Sequence, residues 1–120
     1  MAAGLTAAVL WASGCLSERP RPGPPALQIE LDRTMVHSPD TVTGHLHVSD
    51  PDGLDSIWLT IDASQAAADV FLQTSYGATF GLAVRSGFAA GQRIPVRLEA
   101  RDLLGFRSTL DTSVAITDVP

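Results

Sequence analysis

The chain has 120 residues, enough for one domain rather than two. Acidic residues outnumber basic ones 13 to 8, every fixed positive charge is an arginine, and the net charge is −5. That balance excludes the basic footprint that nucleic acid demands and any electrostatic pull towards an anionic membrane, and a single cysteine, Cys15, excludes an intrachain disulfide.

Residues 5–11 read LTAAVLW. The run is too short to span a bilayer as a helix and has the length of the apolar region of a secretory signal. The small residues Ala12, Ser13 and Gly14 then lead directly into Cys15. This junction resembles the lipobox of bacterial lipoproteins. The resemblance implies that residues 1–14 are a signal peptide, cut away in front of Cys15, and that the Cys15 thiol carries diacylglycerol with palmitate-type chains. Two positions depart from the family pattern: Ala12 stands where leucine is usual, and residues 1–4 contain no Lys or Arg. The residues alone also admit a cleaved signal without lipid, or an N-terminal helix that buries Cys15.

Residues 17–25 read SERPRPGPP, with four prolines in nine residues. Such chain runs extended at about 3.1 Å per residue, so residues 15–25 read as a spacer of roughly 30 Å behind an anchor. A docking motif for a proline-binding domain, around Arg19-Pro20-Arg21-Pro22, is the lesser alternative.

From residue 26 to 120 the chain alternates. Leu27, Ile29 and Leu31 predict a first strand; Val42, Leu46 and Val48 a second over 41–48; Ile57, Leu59 and Ile61 a third over 56–62. Asp62-Ala63-Ser64-Gln65 fits a helical capping box before three alanines, so one or two helical turns are expected over 63–70, with a short edge strand over Val70 to Leu72 as the alternative. Tyr76-Gly77 signals a turn, and Phe80, Leu82 and Val84 point inward on a strand over 79–84. Ile94, Val96, Leu98 and Ala100 make the cleanest alternation, and Leu110, Thr112, Val114 and Ile116 close the series.

Short strands at spacings near ten residues predict an all-β fold, an antiparallel β-sandwich of about seven strands, with a small barrel as the alternative. The phrases Ser49-Asp50-Pro51-Asp52-Gly53-Leu54-Asp55-Ser56-Ile57 and Leu98-Glu99-Ala100-Arg101-Asp102-Leu103-Leu104-Gly105-Phe106 resemble bacterial immunoglobulin-like and fibronectin-III-like domains. That resemblance implies that the second and third strands lie in different sheets, with Asp50-Pro51-Asp52-Gly53 as an arch between them.

Three groups could carry chemistry. Asp50, Asp52 and Asp55 crowd one loop and could offer oxygens to calcium, but the loop lacks the EF-hand order, and Pro51 and Gly53 already account for it as a turn. The domain is therefore expected to fold without metal or other cofactor. His45 and His47 share a strand face without a third imidazole or a thiol nearby, and read as exposed polar residues. Trp58 falls on the face of Ser56 and Thr60, opposite Ile57 and Leu59, where it either grips a ligand with Thr60 or lies beneath the 63–76 segment as a satellite core; the second is favoured.

No nucleophile elbow, phosphate-binding loop or His-Glu-x-x-His motif occurs. The expectation is a non-catalytic, immunoglobulin-like module of the cell envelope, anchored in the outer membrane or at the cell surface by lipid. It would bind or space other envelope components, protein or glycan, and not nucleic acid. The alternative is a carbohydrate-binding or adhesion domain acting through Trp58.

Overall fold

The computed structural model describes residues 22–118. Cys15, Trp11, the signal segment 1–14 and most of the spacer lie outside the described residues. The described chain is all-β. It forms eight strands: β1 (Ala26–Leu31), β2 (Met35–Val36), β3 (Asp40–Ser49), β4 (Leu54–Ile61), β5 (Ser64–Asp69), β6 (Ser75–Val84), β7 (Arg93–Asp102) and β8 (Arg107–Ile116). They build a three-stranded sheet, β1-β3-β6, and a five-stranded sheet, β2-β8-β7-β4-β5.

The count exceeds the expected seven for two reasons. The first strand breaks: β1 pairs antiparallel with β3 in one sheet, and β2 pairs parallel with β8 in the other. The capping box, moreover, is not a helix start. Asp62 takes a positive φ of 54° and turns a tight hairpin, so that Ile61 faces Ser64 and β5 pairs with β4 along its length. Aspartate tolerates that conformation, and the Asp62 carboxylate is held bidentately by Arg85 at 2.8 and 3.0 Å. The alanines of β5 favour helix locally, but edge pairing with β4 overrides a preference of a few tenths of a kcal/mol per residue.

The core lies between the sheets. Val42, Leu46 and Val48 of β3 face Ile57, Leu59 and Ile61 of β4, Ile94, Val96, Leu98 and Ala100 of β7, and Val114 and Ile116 of β8. Leu27, Ile29 and Leu31 on β1 and Tyr76, Phe80 and Leu82 on β6 pack around them. Gly44 occupies an inward position of β3 because nothing larger fits. A Cβ there would stand 2.3 Å from the Glu30 carbonyl oxygen and 2.9 Å from the Phe80 ring.

The connection from β3 to β4 passes between the sheets and is an arch, as the two sheets require. Asp50 Oδ1 accepts from the Asp52 amide at 2.8 Å, and Gly53 takes a φ of 95°. The arch docks on the β7–β8 turn: the Leu103 amide donates to the Gly53 carbonyl at 3.0 Å, and the Leu103 side chain fills the space where a Gly53 Cβ would be. Residues 70–74 run along its other side, with the Asp50 amide donating to Thr74 O at 2.9 Å and Leu54 N to Gln73 O at 2.7 Å. The spacer enters at this same end, since Ala26 pairs with Ser49 and the Ser108 hydroxyl donates to the Pro25 carbonyl.

Candidate functional site

Trp58 lies half-buried on the outer face of the five-stranded sheet, on the side where parity places it. Its neighbours across the strands are Glu99 on β7 and Ala67 on β5. The 63–76 segment does not fold over it. Residues 64–69 lie beside it in the plane of the sheet as β5, and Phe71, 58% exposed, only edges a shallow groove that Trp58 shares with Asp55, Ala67 and Asp69. What covers the indole is arginine. The guanidinium carbons of Arg107 and Arg101 stand 5.6 and 5.9 Å from its ring centroid, within the range of cation–π attraction.

Each arginine on this face is tied to an oxygen. Arg107 meets Glu99 at 2.7 Å, Arg101 meets Asp55 at 2.6 Å, Arg97 meets Asp111 at 2.8 Å, and Arg93 donates to Ser113 at 2.9 Å. Thr60, the other residue proposed from sequence, accepts at its hydroxyl from the Gln65 side-chain Nε2 at 3.2 Å and sits on the same row as Trp58. The result is a flat, charge-patterned surface with one aromatic at its centre. Its grooves are open and shallow rather than enclosing.

The acidic loop divides. A β-bulge between Leu54 and Ser56 lets Leu54 and Ile57 both point into the core and turns Asp55 outward to Arg101. Asp55 is thereby lost to the cluster. In its place comes Asp102, from the end of β7, so that oxygens of Asp50, Asp52 and Asp102 lie within 4.8 Å of one another. Sequence distance hid this residue; the only signal was its place beside a glycine turn. Asp50 and Asp102 are each 1% exposed. Asp102 Oδ1 accepts from the amides of Leu104 and Phe106 at 2.9 and 2.8 Å, while Oδ2 of both Asp50 and Asp102 is buried without a hydrogen-bond partner. Burial pushes the Asp50 carboxyl above the usual carboxylate range. The neighbouring Asp102 carboxyl and the charge of Asp52 add to the rise, and the Asp52 amide opposes it.

His45 and His47 are exposed, and His45 Nε2 pairs with Glu30 at 2.8 Å across to β1. The two imidazoles are not joined by a third metal ligand in any cluster among the described residues.

The fold is similar to that in the crystal structure of Spo0M, a sporulation control protein from Bacillus subtilis, with a TM-score of 0.56 and 10% sequence identity. The match covers 82% of this chain and 51% of that one, so this chain spans about half the length of the protein it matches. At that identity the likeness is one of fold alone. No protein-family model and no curated protein matches the chain.

Proposed function

We propose that the chain is a lipid-anchored, non-catalytic, immunoglobulin-like module of the cell envelope that spaces and binds other envelope components. The observation that carries this reading is the end of the sandwich at which the spacer enters. Pro25 is tied to Ser108 there, directly behind the proline-rich run and the Gly14-Cys15 junction. The turns at that end also expose Phe71, Leu72, Leu104 and Phe106, an apolar fringe suited to the side facing an anchored membrane. The sheet-switching first strand and the arch from β3 to β4 support the immunoglobulin-like assignment.

Strands of ten residues place the far end of the domain roughly 30 Å from the tether. Intact mass of the membrane-extracted protein tests the anchor: residues 1–14 are expected to be absent and Cys15 to carry lipid, with Cys15→Ser moving the protein to the soluble fraction. A full-length, unmodified chain in the soluble fraction would contradict it.

A second reading, carbohydrate binding through Trp58 and Thr60, draws on the open groove beside the indole. The arginines over the ring compete with sugar stacking and favour a polar protein partner. A glycan array separates the two, since the leading reading expects no sugar-dependent signal that Trp58→Ala abolishes.

A further inference from the structure

We infer that Asp50, Asp52 and Asp102 form a binding site for a hard divalent cation, and that calcium is the ion it fits best. The three oxygens lie within 4.8 Å of one another. Two oxygens that share one calcium at about 2.3–2.6 Å can be up to about 5 Å apart, so one ion can reach all three carboxylates.

Acidity is not the whole observation. Asp50 and Asp102 are almost wholly buried, and each has one oxygen already committed to turn amides. The other oxygen of each is buried with no donor. Burial of a carboxylate is tolerated when a counter-charge or a hydrogen-bond donor meets it, and here neither comes from the protein. The nearest candidate in sequence, Arg101, points to the opposite face of β7 and is held by Asp55. A proton shared between Asp50 and Asp102 would relieve that pair without involving the exposed Asp52. A cation engages all three.

The donor set is oxygen only, which argues against zinc and copper, whose sites draw on imidazole and thiolate. Two buried oxygens from separate elements and a third on an exposed turn suit the irregular shell of calcium, with water completing it on the Asp52 side. Magnesium asks for a near-ideal octahedron and keeps most of its water. A bound ion would clamp the arch to the β7–β8 turn at the end where the spacer enters, and the inference holds whether or not Cys15 is lipidated.

The test is titration of the full chain, stripped of metal, with calcium chloride at constant ionic strength, followed by calorimetry and thermal melting. A single saturable site is expected, with a rise in Tm of about 5 °C at saturation and a smaller rise with magnesium. Asp102→Asn is expected to weaken calcium binding at least about tenfold. Asp102 also anchors two turn amides, so Asp52→Ala is the safeguard against a variant that does not fold. Asp52 is exposed, its own amide still reaches Asp50, and its loss should weaken calcium about tenfold without lowering the metal-free Tm. A metal-stripped chain that shows no saturable heat and melts identically in calcium and in sodium would overturn the site, as would an Asp52→Ala chain that binds calcium as tightly as the parent. Equal affinity for magnesium would overturn the choice of ion.

Discussion

Two clusters of charge share the strands β4 and β7 and are built on opposite terms. On the outer face three carboxylates near Trp58 have arginines: Asp55 with Arg101, Glu99 with Arg107, and Asp111 with Arg97 one strand further on. At the arch, where Leu54 and Asp102 pair one step beyond Ser56 and Arg101, two aspartates are buried together with no cationic side chain. Strand alternation accounts for the split, since Arg101 and Asp102 must point to opposite faces. The bulge completes it by sending Asp55 outward. The comparison teaches that an abundance of ion pairs says little about where charge matters. The exposed pairs exchange water for a partner at small net gain. The buried pair is shut off from bulk solvent, and no cationic side chain meets it.

The largest effect is expected in the frame that both clusters share. Leu98 is fully buried between its neighbours Leu59 and Leu110. Leu98→Ala should lower stability by about 2–5 kcal/mol in denaturant titration, equally with and without calcium. A calcium-dependent loss would mean that the arch and the core are not separable. Trp58→Ala should cost less, about 1–2 kcal/mol, because the indole is half-buried and topped by partly exposed arginines rather than by core. A loss of 3 kcal/mol or more would restore Trp58 to the core and remove it as a contact residue. Its emission should be accessible to acrylamide in a chain from which Trp11 has been removed. The smallest effect belongs to the outer ion pairs: Arg107→Ala should shift stability by no more than about 1 kcal/mol, with no change in calcium response.

Much of the frame could be read from period two alone. Alternation marks most inward residues of β1, β3, β4, β7 and β8, Leu54 excepted, and the Asp50-Pro51-Asp52-Gly53 turn is marked by its own chemistry. The failures share a cause, which is that the deciding partner is distant in sequence. Ser64 and Gln65 resemble a capping box until β4 is there to pair with β5. Gly77 resembles a turn residue, yet it lies inside β6 opposite His47. Asp55 leaves the acidic loop because of a bulge that no local pattern announces, and Asp102 joins it from the far end of β7. Trp58 was placed on the correct face by parity, but its arginine cover comes from β7 and β8.

That the arch is governed by uncompensated buried carboxylates is tested most directly by melting the full chain and its Asp50→Asn variant from about pH 4 to 7, in chelator and in calcium. The charged groups that face Asp50 are Asp52 on its own turn and Asp102 at the end of β7, both acidic. Its carboxyl is held above the usual range, so its contribution is full below the unfolded value of about 3.9 and is lost as pH rises through the folded one. Asp40 and Asp62 run the other way. The amides of His37 and Thr41 lower the first and Arg85 the second, so their contribution is lost as pH falls, and the comparison with Asp50→Asn cancels them. In chelator the parent should therefore lose stability relative to the variant as pH rises, and calcium should restore it near pH 7 while doing nothing near pH 4. A parent and variant whose difference in Tm stays constant across that range, with and without calcium, would contradict it.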